Sequence, residues 1–114
     1  MKFIEKELLV FSRRVARHLA RRFKIHYRGV RAVDKRRAEY KVVQGQTDED
    51  LNGRCYIELV FKNKRGKLYS IHQLVDTICH ELSHVITWKE QEHHSQNWRA
   101  WYKKIKDYAD GKLF

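Results

Sequence analysis

The chain has 114 residues, 42% of them hydrophobic, with 25 Lys/Arg against 14 Asp/Glu and a net charge of +11. That length supports a single domain, residues 1–114, with a modest core, and no run is long or apolar enough to span a bilayer. The positive excess excludes a strongly acidic partner-binding surface and favours a polyanion as partner.

Residues 3–23 read as an amphipathic helix with Ile4, Leu8, Phe11, Val15 and Leu19 on one stripe. Its other faces are basic. Arg13, Arg14, Arg17, Arg21 and Arg22, with Arg36 and Arg37 further on, are the candidate nucleic-acid contacts. Residues 1–41 hold 14 Lys/Arg against four acids, a net +10, whereas residues 42–114 hold 11 against 10. Each phosphate neutralised by such a region releases counterions and adds salt-sensitive affinity, so DNA is the expected partner. The plainer alternative is a solvated basic helix that keeps the protein soluble. Arginines at positions 13, 14 and 17 also stand where a signal peptide would need its apolar stretch, so a cytoplasmic or nucleoid-associated setting is expected.

Residues 24–30 and 38–46 read as strands, with Ile25 and Tyr27, then Tyr40 and Val42, as inward pairs. Thr47 to Gly53 is a loop by composition, ending in an Asn-Gly turn signal. Residues 54–62 make the clearest strand, closed by the polar turn Asn63 to Gly66. Cys55 and Cys79 form no C-x-x-C pair and read as two buried, reduced thiols of an intracellular protein.

Ser70 and Gln73 have the spacing of a capping box, which starts a helix at about Ile71. With Ile71 at zero on a helical wheel, Leu74, Val75, Ile78, Leu82, Val85 and Ile86 fall within about 60° of it. His80 and His84 fall near 180° and 220°, on the opposite face, one turn apart. His80-Glu81-Leu82-Ser83-His84 is therefore an H-E-x-x-H motif whose two imidazoles reach a single metal ion. Glu81 stands about 100° round from His80, close enough to touch a water at the metal without ligating it. Hydrolysis at a tetrahedral zinc needs a third protein ligand and one open position. His93 and His94, past the helix end, both offer that ligand. Ser95 caps a last helix from about Gln96 to Ala109, with Trp98, Trp101, Ile105 and Tyr108 on one face and Gly111 in its C-cap region. The layout is α+β and zincin-like: N-terminal helix, small antiparallel sheet of about three strands, H-E-x-x-H helix and C-terminal helix.

His80 to His84 followed by His94-Ser95-Gln96-Asn97-Trp98 resembles the SprT-like and WLM-type metallopeptidases, which share H-E-x-x-H, a short loop and H-x-x-x-(F/W). Gly53-Arg54-Cys55 also resembles the G-x-C element ahead of the catalytic helix in SprT-like domains. The resemblance covers roughly residues 50–105 and implies Zn²⁺ on His80, His84 and His94, with Glu81 as general base and then acid. It implies a protein or peptide substrate, in the best-known cases a DNA-bound one of the DNA–protein crosslink type. Tyr69, His93, Arg99 and Tyr102 are candidates to stabilise the oxyanion. Two other classes are weighed against the peptidase: a zinc-dependent nuclease, and a non-catalytic nucleic-acid-binding module whose structural zinc takes a fourth ligand from Cys79 or His93.

Overall fold

The computed structural model describes residues 3–33 and 44–113. Tyr40, Val42, Arg36 and Arg37 lie outside the described residues, as does most of the strand expected at 38–46.

The first helix, α1 (Phe3–Phe23), runs the full length that its apolar stripe predicts. Its C-terminal half does the docking. Val15 and Leu19 are buried together with Ala16 and Ala20, whose small side chains let the helix approach its neighbours, whereas Ile4 is 49% exposed. The helix stops where Lys24 adopts a left-handed φ of 55°. The Ile25 amide then donates to the Ala20 carbonyl at 2.8 Å, a C-terminal closure that redirects the chain.

That redirection accounts for the first difference from expectation. Residues 24–29 are not a strand; pairing begins only at β1 (Val30–Ala32). Bonds from the Arg28 amide to the Cys55 carbonyl (2.7 Å) and from the Ile57 amide to the Gly29 carbonyl (2.9 Å) draw the chain into register. Ile25 is buried and Tyr27 packs against the core, so the expected inward pair survives without the strand.

β2 (Gly45–Glu49) pairs antiparallel with β3 (Cys55–Leu59), and β1 pairs parallel with β3 on its other edge. The sheet has the expected three strands but is mixed, in the order β1-β3-β2. β2 reads Gly-Gln-Thr-Asp-Glu and was legible as loop; its ladder to β3 overrides the poor propensity of those residues. The hairpin closes on Asp50, whose Oδ1 accepts from the amides of Asn52 (2.9 Å) and Arg54 (3.0 Å), with Gly53 at φ 76°. Gly45 permits a close approach: a Cβ there would meet Thr77 Cγ2 at 2.8 Å and the Glu58 carbonyl at 2.9 Å. β2 can therefore lie directly against the next helix.

That helix, α2 (Ile71–Ile86), starts on the capping box that the sequence encodes: the Gln73 amide donates to Ser70 Oγ (3.1 Å) and the Ser70 amide to Gln73 Oε1 (2.8 Å). Leu74, Val75, Ile78 and Leu82 are fully buried beside Ile57 and Leu59 of β3. α3 (Gln96–Leu113) begins where Ser95 Oγ accepts from the Trp98 amide at 3.0 Å. It runs through Gly111, which is helical and has nothing within 4 Å of a Cβ position, so the expected C-cap there is not used. Its buried residues are Trp98, Ile105 and Ala109, with Trp101 and Tyr108 only half-buried. Both cysteines are free and buried. Among the described residues no helix is long and apolar enough to cross a membrane.

Candidate metal centre

The capping box fixes the phase of α2, and that phase turns His80 and His84 away from the core. Their Nε2 atoms stand 3.2 Å apart. His94, between α2 and α3, completes the group: one ring nitrogen from each of the three histidines lies within 4.8 Å of the others. Two nitrogens bound to one tetrahedral zinc at about 2.05 Å stand roughly 3.3 Å apart, so the His80–His84 pair has the spacing of a shared cation. Burial lowers the His80 pKa, helped by His94 and opposed by Asp76. Burial also takes His84 down to about 4, helped by the neighbouring imidazoles of His80, His94 and His93. Both rings are therefore neutral near pH 7, the form that ligates metal.

Two devices bring His94 in. Trp98, in the first turn of α3, wedges among the three imidazoles, with ring centroids 4.7 Å from His80, 5.2 Å from His84 and 4.5 Å from His94. Glu90 ties the connecting loop together. Its carboxylate accepts from the Ser95 hydroxyl and from Asn97 Nδ2 (2.6 Å), and its amide donates to the Thr87 carbonyl (2.9 Å). Those two side-chain bonds hold the Glu90 pKa below the usual carboxylate value. His93 is exposed, with its ring 6.0 Å from that of His84, and stays outside the group. Tyr102, whose ring is 5.9 Å from His80, gives its hydroxyl proton to Asp76 and so has none to spare for an oxyanion.

Glu81 is 5% exposed, with Oε2 3.9 Å from His80 Nε2. Its other oxygen, Oε1, accepts from the Thr47 hydroxyl at 2.8 Å. Burial raises the carboxyl pKa to about 7, with the Thr47 bond working against it. An unfolded Glu titrates near 4.3, so the folded chain holds this proton more tightly. The resulting stabilisation is present below the unfolded pKa and is lost as pH rises through about 7. In metal-free protein, Glu81→Gln is therefore expected to gain about 2–3 kcal/mol over wild type at pH 8 and nothing at pH 4. Urea unfolding at the two pH values reads the difference directly, and equal stabilities at pH 8 would mean that Glu81 ionises without cost.

The profile of the SprT-like family matches residues 11–112. The chain belongs to the SprT-like family. No curated protein and no solved structure matches it. The family is associated with zinc-metallopeptidase-like proteins, and the match carries no support for the WLM-type half of the resemblance.

Two residues that shape this SprT-like site escaped the sequence. Thr47 lies 34 positions from Glu81 in a stretch that reads as loop, and only the β2–β3 ladder brings it there. Glu90 left a faint signal, an acid shortly before the Ser95 cap. The arginines divide. Arg14, Arg17, Arg21 and Arg22 line one recess with His18 and Tyr108, whereas Arg13 turns elsewhere and its Nε donates to the Val30 carbonyl at 3.0 Å.

Proposed function

We propose that this SprT-like protein is a zinc metallopeptidase, with His80, His84 and His94 as metal ligands and Glu81 as the catalytic acid–base. The observation that carries the reading is a buried carboxylate beside three neutral imidazoles. When bound, zinc supplies Lewis acidity to the attacking water and to the scissile carbonyl. Thr47 holds Oε1 of Glu81 and leaves Oε2, the oxygen facing His80, to take the proton from water and pass it to the leaving amine. A pKa near 7 suits both transfers at neutral pH. Trp98 keeps the ligand rings apart and shields them from bulk water.

The substrate class we assign is polypeptide, with nucleic-acid-associated proteins favoured by the basic N-terminal region and an intracellular setting favoured by two reduced thiols. A closed, structural zinc needs a fourth protein donor. Among the described residues none joins the three histidines. Cys79 is wholly buried, and burial pushes its thiol up to about 12. A nuclease reading has no observation of its own. Cleavage of an unstructured polypeptide, lost with a chelator and restored by zinc, is the expected result; cleavage of RNA or DNA instead, with polypeptide untouched, would replace the proposal.

Glu90 gives a second check on the ligand set. Glu90→Ala frees the loop that carries His94 and should weaken zinc binding about 10- to 100-fold, with Glu90→Gln recovering part of the loss. Competition against a chromophoric chelator measures this. Unchanged affinity in Glu90→Ala would mean that Trp98 alone positions His94.

A further inference from the structure

Outside the metal centre, the most marked feature of the surface is a pair of adjoining recesses with basic walls. The larger, about 1110 Å³, lies between the end of α1, the β2–β3 turn and the end of α2. Arg17, Arg21 and Lys24 form one wall; Arg54 and Lys89 stand among the residues from the turn and from beyond α2, with Trp88 beside them. The smaller, about 410 Å³, is lined by Arg14, Arg17, His18, Arg21, Arg22 and Tyr108, with no acid among them. Arg17 and Arg21 line both, so the two are halves of one groove across α1.

The charge here is uncommitted. Among the described residues, the side chains of Arg14, Arg17, Arg21, Lys24, Arg54 and Lys89 make no salt bridge with an acid, unlike Arg28, which pairs with Asp50 at 2.6 Å. The one acid in the lining, Glu49, accepts a hydrogen bond from the Trp88 indole. Unpaired arginines concentrated on one side of a helix repel one another and gain most from an anionic partner. From Arg14 to Lys24 the helix rises about 15 Å, enough to follow several successive phosphates rather than one.

We propose that this groove binds single-stranded nucleic acid: the α1 arginines track the phosphates, Arg54 and Lys89 close the far side, and Trp88 offers a face on which a base stacks. A duplex keeps its bases stacked inside and would meet only the α1 ridge, whereas an unpaired base can enter the recess and reach Trp88. The groove ends beside the metal centre. Glu49 is two residues along β2 from Thr47, which bonds Glu81, and Trp88 is four residues beyond His84. The proposal rests on nucleic acid being the partner and is independent of the peptidase chemistry.

Fluorescence anisotropy of a labelled oligothymidylate of about 12 nucleotides with the zinc-loaded full chain, at several salt concentrations, tests it. Arg54→Glu with Lys89→Glu should weaken binding about 10-fold or more and flatten the salt slope by about 1 to 2. The Gln pair should act in the same direction by less, which guards against misfolding of the charge-reversed protein. Trp88→Ala should cost about 10-fold for the single strand and little for a duplex, and Trp88→Phe should keep most of the affinity. Zinc content and polypeptide cleavage should be unchanged by the Arg54 and Lys89 substitutions. Binding that ignores Arg54, Lys89 and Trp88 would overturn the groove while leaving nucleic acid as partner; no binding at all would overturn both. Poly-glutamate binding as tightly as the oligonucleotide, and indifferent to Trp88→Ala, would overturn the proposal in favour of an acidic polypeptide.

Discussion

Glu81→Gln is expected to slow peptide cleavage by about 10²- to 10⁴-fold while zinc content stays at the wild-type level. The amide has the size of the carboxylate and keeps an oxygen to accept from Thr47, so the packing beside β2 survives. It cannot take up a proton, however, and both transfers in the proposed mechanism pass through that group. Glu81 is not needed to hold the metal, because the three imidazole nitrogens already converge without it. Single-turnover cleavage at equal zinc occupancy separates the two effects. Cleavage at the wild-type rate would remove Glu81 from the chemistry, and loss of zinc would make it a ligand instead.

The second large effect is on stability. Burying three uncharged imidazoles that face one another leaves their lone pairs competing for a single point, and a cation there relieves the competition. Zinc at about 1,000 times its dissociation constant would stabilise the fold by about 4 kcal/mol. For a chain of this size that corresponds to a rise in melting temperature on the order of 15 °C or more. His84→Ala should abolish the rise, because it removes the central ring of the pair at 3.2 Å. His93→Ala should leave it intact, because His93 stands outside the group. Thermal melts with and without zinc decide between them; a zinc-dependent rise that persists in His84→Ala and vanishes in His93→Ala would assign the ligands wrongly here.

What the sequence made legible was local. A capping box, an apolar stripe and H-E-x-x-H all lie within α2, and each is a relation between residues a turn or less apart, so helix and histidine face could be read together. The choice between His93 and His94 could not, since it depends on Glu90 clamping the loop and on Trp98 reaching back from α3. β2 was hidden for a different reason: five mostly polar residues carry no period-two pattern, and their strand character comes from β3, which lies beyond the turn at Asp50. The parallel pairing of β1 is likewise invisible locally, because it joins segments more than twenty residues apart and follows from the left-handed turn at Lys24. Charge counting found the basic region but not its sidedness. Arg13 spends its guanidinium on a backbone carbonyl while Arg14, Arg17 and Arg21 line the groove, a division set by where α1 docks.

X-ray absorption at the zinc edge of the loaded protein tests the central claim most directly, because an open site and a closed one differ in their ligands. The account predicts three imidazole nitrogens at about 2.0 Å and one exchangeable oxygen, with the signal altered by a small competing anion. A sulfur at about 2.3 Å, or a fourth imidazole and no exchangeable ligand, would mean a closed structural zinc and would contradict it.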